Sequence, residues 1–156
     1  MTIVINHARG KVDMGHIRDL FTEYHEWLGV DVCFQGFGTE MKNLPGKYAE
    51  PQGCLLLARE EEEVIGGVGL WPLDEGVCEM KRLYVRPPWL GQGQGRKLAH
   101  AIIEQARERD YRRMCLDTLP QLTAALSLYR SLGFADTAPY YNNPIDGVSY
   151  LSLDLT

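Results

Sequence analysis

The chain has 156 residues, 45% of them hydrophobic, which is enough to enclose the core of one compact domain. Its formal net charge of −5 argues against broad nucleic-acid binding. The N-terminus lacks the apolar region of a signal peptide and no apolar run reaches the roughly 20 residues that span a bilayer, so we expect a cytoplasmic protein without a membrane partner.

The first part of the chain predicts a strand, a long helix and a short helix. Residues 2–7 have the composition of a strand. From Asp13 to Leu28, apolar residues recur at helical spacing, with Asp13 as a cap and Gly29 as a left-handed end. The irregular stretch that follows predicts one short helix near residues 39–44 and a loop that shapes a site.

Three strands and a β-α-β unit are predicted next. The strands cover Cys54–Arg59, Val64–Trp71 and Val77–Val85, and the turn-forming segments between them favour an antiparallel meander. A helix from Arg96 to Glu108 then leads to a strand over residues 112–118. Such a crossover places the strand 77–85 parallel and adjacent to the strand 112–118.

The last part of the chain predicts one more helix and two strands. Thr118 and Gln121 fit a capping box for a helix that stops at Gly133. Strands follow near Phe134–Ala138 and over Val148–Leu155. The order β-α-(α)-β-β-β-α-β-α-β-β therefore predicts an α/β fold, with a mixed, mostly antiparallel sheet of six or seven strands and helices on both faces.

The cysteines and histidines give no sign of a metal site. Cys33, Cys54, Cys78 and Cys115 lie far apart without a C-x-x-C pair, and the histidines form no cluster. We expect no metal, and we expect reduced, mostly buried thiols. Burial of Cys78 and Cys115 in strands would leave no cysteine for a covalent intermediate.

The segment "RPPWLGQGQGRK" (residues 86–97) predicts an anion-binding loop. Its two prolines cannot continue a sheet ladder, so the preceding strand ends there. Gly91, Gly93 and Gly95 allow the backbone to approach a ligand closely, and the following helix start offers free N–H groups. Five basic residues and no acidic one between Met80 and Lys97 suit a small polyanion, although a solvated basic face is the alternative.

The loop resembles one known family. The dinucleotide fingerprint fails because Arg96 replaces its third glycine, and no Lys-Ser/Thr pair completes a phosphate loop. "LGQGQG" resembles the (R/Q)-x-x-G-x-G loop of the Gcn5-related N-acetyltransferases (GNAT), with Gly93 and Gly95 as its glycines. "EMKRLYVRPPWLGQGQGRKL" and "AALSLYRSLGF" carry the resemblance further, and it covers nearly the whole chain. Leu90 and Leu122 depart from the Arg or Gln and the Asn that the family usually has.

The resemblance implies a single GNAT-like domain over residues 1–156, with acetyl-CoA in the gap where two central parallel strands splay apart. The pyrophosphate would lie on the glycine loop, and the pantetheine arm would follow the first of these strands. The implied cofactor-binding residues are Leu83, Tyr84, Val85, Gln92, Gly93, Gln94, Gly95, Arg96 and Lys97.

Acetyl transfer to an amine needs a base for the amine, a donor for the oxyanion and an acid for the leaving thiolate. The resemblance assigns the base to Glu79, the acid to Tyr129 and the oxyanion donor to a backbone N–H near Val85. In the alternative interpretation, Glu79 is a strand residue paired with Lys81 or Arg112, and Tyr129 only fills the core.

The expected acceptor is the primary amine of a small molecule, acetylated directly in a ternary complex, and a homodimer is common in families of this kind. A non-catalytic acyl-CoA sensor, a protein or peptide acetyltransferase and a longer-chain acyltransferase are the alternatives. The candidate acceptor-site residues are Phe34, Phe37, Trp71, Arg82, Asp117, Tyr140, Tyr141 and Asn142.

Overall fold

Seven strands form one sheet in the computed structural model, which describes residues 2–29 and 36–156. The strands are β1 (Ile3–His7), β2 (Cys54–Glu60), β3 (Glu63–Asp74), β4 (Val77–Val85), β5 (Arg113–Thr118), β6 (Ala135–Asp136) and β7 (Ser149–Asp154). Their order is β1-β2-β3-β4-β5-β7-β6, and every neighbouring pair is antiparallel except β4 and β5. The predicted mixed, mostly antiparallel sheet is therefore confirmed.

The described residues form four α-helices, which cover both faces of the sheet. They are α1 (Gly10–Leu28), α2 (Phe37–Lys42), α3 (Gln94–Glu108) and α4 (Thr123–Ser131). Strand alternation separates two cores: Leu57 packs with α1 and α2, whereas its neighbour Leu56 packs with α3. None of the helices in these ranges has the length and apolar character that crossing a bilayer requires.

The first helix begins earlier than predicted. α1 starts at Gly10, so Asp13 lies inside its first turn and is not the cap. One Asp13 oxygen accepts a hydrogen bond from the Arg9 backbone N–H at 2.9 Å, and the other accepts one from the Arg59 side chain at 2.8 Å. Asp13 therefore stabilises the start of α1 from a position inside the helix, by accepting the free N–H of the residue that precedes it. The predicted end at Gly29, with a φ of 68°, is confirmed.

The capping box predicted at Thr118 and Gln121 is wrong. Thr118 is the last residue of β5, where it pairs with Ser149 of β7. α4 begins only at Thr123, without a side-chain cap. Thr118 is extended because it pairs with a residue 31 positions later in the chain, and this pairing outweighs the local preference for a helix start.

The two parallel strands separate soon after they meet. Beyond their last paired position, β4 continues to Val85 and β5 to Thr118 without a shared ladder. The predicted splay between these strands is therefore confirmed. The paired positions are Val77 with Arg113, Cys78 with Met114, and Glu79 with Cys115.

A β-bulge lies in β4 just beyond this point. Gly67 pairs with Tyr84 and Gly69 pairs with Lys81, so β4 has one residue more than β3 in this interval. Arg82 occupies the bulge with a φ of 58°. A bulge bends its strand and increases the local twist, and this accounts for the departure of β4 from β5.

Candidate active site

A cleft of about 490 Å³ lies between β4 and the segment that follows β5. One wall is formed by residues 83–85 of β4, and another by residues 121–125, which lead into α4, together with Leu128 of α4. The glycine loop and the first residues of α3 also line it. The cleft is thus a groove beside the diverging end of β4, with a helix N-terminus next to it.

The glycine loop starts α3 two residues earlier than predicted. Pro87–Trp89 forms a short 3-10 helix, and Gly93 then adopts a left-handed φ of 82° immediately before the helix. A residue with a Cβ would be strained there. Gln94 and the residues after it present the free N–H groups of the first helical turn.

All but two of the predicted cofactor residues line this cleft. The Gln92 side chain turns away and donates a hydrogen bond to the Pro88 carbonyl at 3.3 Å, and Lys97 is exposed on α3. Arg96 lines the cleft and donates to the Ser131 hydroxyl at 2.7 Å. The predicted residues that line the cleft are Leu83, Tyr84, Val85, Gly93, Gln94, Gly95 and Arg96.

Gln94 carries an unsatisfied acceptor on the wall of the cleft. Its side chain is buried, and no described residue donates a hydrogen bond to its side-chain oxygen. An unpaired buried carbonyl is unfavourable, so this oxygen suits a ligand that carries an N–H group.

A second, smaller cavity of about 60 Å³ adjoins the first. Tyr24 of α1 lines both cavities, so they meet at its side chain. Burial raises the pKa of Tyr24 to about 12, which keeps its hydroxyl protonated at neutral pH. The diverging strands contribute Met80, Lys81, Arg82, Asp117 and Thr118 to the smaller cavity.

Glu79 lies at the point where the strands part, but it lines neither cavity. It is 3% exposed, and its two oxygens accept hydrogen bonds from Trp71 Nε1 and from the Tyr140 hydroxyl, both at 2.6 Å. Lys81 Nζ lies 3.9 Å away, whereas no described ion pair joins Glu79 to Arg112. Burial and the nearby Glu79 carboxylate raise the pKa of Tyr140 well above its usual range.

Tyr129 of α4 is buried, and its ring centre lies 5.9 Å from that of Phe134. Burial raises the pKa of its phenol well above the usual value, and electrostatic interaction with Tyr24 and Asp117 raises it further. No described residue forms a hydrogen bond with its hydroxyl. Tyr129 is thus a protonated donor without an acceptor among the described residues, and it lines neither cavity.

Arg82 forms a buried ion pair with α2. Its Nε and Nη2 donate to the two oxygens of Glu40, each at 2.9 Å, and the Tyr48 hydroxyl donates to the same carboxylate at 2.8 Å. The guanidinium also lies 5.0 Å from the centre of the Phe37 ring. Arg82 and Phe37, both predicted in the acceptor site, are thus parts of one packed cluster on the α1 and α2 face.

The tyrosine-rich loop after β6 reaches Asp117. The carboxylate accepts hydrogen bonds from the Tyr141 hydroxyl and, at 3.2 Å, from Asn143 Nδ2. The predicted Asn142 is instead exposed and lines neither cavity. The predicted Phe34 lies outside the described residues.

Sequence reasoning missed several residues of the site. Tyr24 was interpreted only as part of the apolar stripe of α1, and Glu40 as part of a short helix. Asn143 follows the predicted Asn142 directly, and only the turn geometry decides which of the two faces Asp117. The signal that could have found Tyr24 is a phenol on an otherwise aliphatic stripe, which needs a partner when buried.

The described cysteines are unreactive. Cys54, Cys78 and Cys115 are buried free thiols, and Cys33 lies outside the described residues. Burial raises the pKa of Cys54 to about 11 and also raises the pKa values of Cys78 and Cys115. In the ranges that the structure describes, no three His, Cys, Asp or Glu side chains form a group that could hold a metal ion.

Comparison with known proteins gives a consistent match. The model of the acetyltransferase (GNAT) family matches residues 15–134. An uncharacterized N-acetyltransferase of Schizosaccharomyces pombe is 41% identical over 146 residues, which cover 92% of this chain and 90% of that protein. The uncharacterized N-acetyltransferase YjgM of Escherichia coli is 34% identical over 121 residues, covering 76% of this chain and 71% of YjgM.

Solved structures share the fold at lower identity. A GNAT-family acetyltransferase from Staphylococcus aureus superposes with a TM-score of 0.82 at 18% identity, covering 99% of this chain and 100% of that one. The PaiA N-acetyltransferase from Thermoplasma acidophilum, solved in complex with coenzyme A, gives a TM-score of 0.75 at 16% identity and covers 99% of each chain.

The ion pair between Arg82 and Glu40 generates a stability prediction. Glu40→Ala leaves the buried guanidinium without its two Glu40 hydrogen bonds, and we expect a loss of about 3 to 5 kcal/mol in the free energy of unfolding. Denaturant unfolding measures the change. Asp136→Ala, which breaks an exposed pair with Arg130, is the control and should change the midpoint little. A loss below about 1 kcal/mol in Glu40→Ala, as for surface pairs, would contradict the prediction.

Proposed function

The chain belongs to the GNAT acetyltransferase family, and on that premise we propose that it transfers an acetyl group from acetyl-CoA to the primary amine of a small molecule. The pair of cavities carries the small-molecule part of this proposal. The long cleft adjoins a cavity of only about 60 Å³. A small space lined by Lys81, Arg82 and Asp117 suits a compact, charged amine.

The residues of the long cleft fit acetyl-CoA. Beyond Glu79, the edge of β4 that faces β5 has no ladder partner, so its peptide groups are free to bind an extended pantetheine arm. The unpaired Gln94 oxygen would accept from an amide N–H of that arm. The first turn of α3 and the Arg96 side chain would hold the pyrophosphate. When bound, acetyl-CoA supplies a thioester carbonyl open to attack by an amine.

Tyr129 is the proposed acid. Its hydroxyl stays protonated at neutral pH because burial raises its pKa, and no described residue forms a hydrogen bond with it. A neutral phenol in an apolar setting can donate a proton to a leaving thiolate without adding a buried charge. The backbone N–H near Val85 is the proposed donor to the oxygen that gains negative charge.

Glu79 is the proposed base, acting through Tyr140. Since Glu79 lines neither cavity, its role as base requires a proton relay, and each of its oxygens keeps a lone pair besides the hydrogen bond it accepts. The Tyr140 hydroxyl, 2.6 Å from Oε2, is the proposed first member of that relay. Asp117, which lines the smaller cavity, contributes to the electrostatic environment of Tyr140 and is the second carboxylate near the junction.

We also propose that the protein works in a reducing compartment such as the cytoplasm. The buried free thiols of Cys54, Cys78 and Cys115 support this, since such thiols persist where disulfides are kept reduced.

A thiol-release assay tests the function, with acetyl-CoA as donor and a panel of small amines, amino acids, polyamines and peptides as acceptors. Calorimetry of acetyl-CoA alone runs beside it. We expect binding, with turnover on a small amine. Binding without turnover on any acceptor would favour a sensor, and turnover only on peptides would favour a protein acetyltransferase.

Gly93→Val should weaken acetyl-CoA binding about tenfold or more, because a branched side chain at a φ of 82° strains the loop and fills the approach to the helix start. Calorimetry measures the change. Gly10→Val is the matched control, since Gly10 has the same φ in open space and lines neither cavity. Unchanged binding in Gly93→Val would remove the loop from the cofactor site.

Tyr129→Phe should keep acetyl-CoA binding and lower kcat by about 10²- to 10⁴-fold, because only the proton donor is lost. Tyr111→Phe removes a phenol bonded to the Gln52 carbonyl, away from both cavities, and should leave turnover unchanged. Equal turnover in Tyr129→Phe and the parent protein would show that another group protonates the thiolate.

Glu79→Gln should lower kcat/KM about 10²-fold or more, because an amide cannot accept the proton of the amine. Trp71→Phe removes one hydrogen bond from Glu79 and keeps the carboxylate, so it should retain most of the turnover. Steady-state kinetics with the small-amine acceptor measures both variants. Full turnover in Glu79→Gln with a comparable loss in Asp117→Asn would assign the base to Asp117.

A further inference from the structure

The smaller cavity contains a buried cation without a hydrogen-bond acceptor. The side chain of Lys81 is 8% exposed, and its nearest carboxylate oxygen, on Glu79, lies 3.9 Å away, beyond hydrogen-bond distance. Its Nζ otherwise lies 5.0 Å from the centre of the Trp71 ring. No described residue accepts a hydrogen bond from it. The ion pair with Glu79 therefore leaves the three N–H donors of Lys81 without an acceptor among the described residues, and a ligand with an anionic acceptor could take them.

Thr118 adds a second unused donor. It is 5% exposed, and its hydroxyl has no hydrogen-bond partner among the described residues. Thr118 and Lys81 come from the two diverging strands and line the same cavity. An ammonium and a hydroxyl that both need an acceptor suit a carboxylate, whose two oxygens accept several hydrogen bonds.

The same cavity also contains an uncompensated anion. The hydrogen bonds that Asp117 accepts from Tyr141 and Asn143 both reach Oδ2, and no described residue donates to Oδ1. No described basic side chain forms an ion pair with this carboxylate. Oδ1 is therefore available to an ammonium group of a ligand.

From this pairing we propose that the acceptor is a small α-amino acid, with its carboxylate on Lys81 and Thr118 and its ammonium on Asp117. The size is compatible, because a cavity of about 60 Å³ exceeds the roughly 10–15 Å³ that one water needs and so has room for a small ligand. The inference rests on the proposed function, since it names the acceptor class of the same site.

The placement puts the amine on β5, and the chain that follows β5 lines the long cleft at Gln121 and Leu122. The nitrogen gives up one proton before attack and a second as it bonds to the acetyl carbon. The C–S bond breaks, its electron pair stays on sulfur, and sulfur takes the proton of Tyr129. One of the two nitrogen protons restores Tyr129 and the other leaves to solvent.

The experiment compares each common amino acid with its carboxamide and its decarboxylated amine in the thiol-release assay. Loss of a charge-assisted contact should lower kcat/KM about 10- to 100-fold for the carboxamide and the amine. Lys81→Met should reduce that preference to less than about threefold, chiefly through KM. Lys47→Met is the control, because Lys47 also lies over Trp71, at 4.8 Å, but lines neither cavity.

The outcomes separate the two proposals. Equal turnover of amino acids, amides and amines overturns the amino-acid inference and leaves the N-acetyltransferase in place. Acetyl-CoA binding without turnover on any acceptor overturns both. If Lys81→Met does not fold, Thr118→Val provides the second test, and it should raise KM for the amino acid severalfold and leave KM for the amine unchanged. An unaltered preference in either folded variant overturns the inference.

Discussion

The site depends on one interrupted ladder. β4 and β5 pair from Val77 to Glu79 on one side and from Arg113 to Cys115 on the other, and then part. Two strands that separate inside a sheet leave peptide groups unpaired, which is unfavourable unless a ligand or water replaces the missing partner. The structure tolerates this because β4 remains paired with β3, and β5 with β7, on their outer edges. Ligand binding can therefore complete the ladder without any rearrangement of the sheet.

The bulge at Arg82 produces the divergence and also determines which charges lie beside it. In a regular strand, Lys81 and Arg82 would point to opposite faces, whereas the bulge lets both reach the side covered by α1 and α2. Arg82 is then neutralised by Glu40, and Lys81 lies beside Glu79 without a hydrogen bond. The bulge at Arg82 thus helps to open the long cleft, and it also places the Lys81 ammonium beside the smaller cavity.

The sequence was sufficient to predict where an element ends when the residues next to that end determine it. The end of β4 at Val85 agrees with the prediction, because the prolines that follow cannot extend a ladder. The end of α1 also agrees, because Gly29 adopts the left-handed conformation that terminates a helix. Thr118 shows the limit of this reasoning, since its pairing with Ser149 is set by a distant strand. The hydrogen bonds that Glu79 accepts from Trp71 and Tyr140 likewise depend on three segments that only the fold brings together.

Tyr24 lines both cavities, and the proposed proton transfer to the thiolate is placed beside it. Burial raises the pKa values of the Tyr24 and Tyr129 phenols, so neither adds charge to an apolar region. The carboxylates remain at the edges of this region, with Glu79 fixed by two donors and Asp117 by hydrogen bonds to one oxygen. In the proposed mechanism, an entering ammonium would exchange its hydration for Asp117 and then lose one proton before attack. The bound acceptor would exclude water, and this would strengthen the hydrogen bond from the backbone N–H near Val85 to the thioester oxygen as that oxygen gains negative charge.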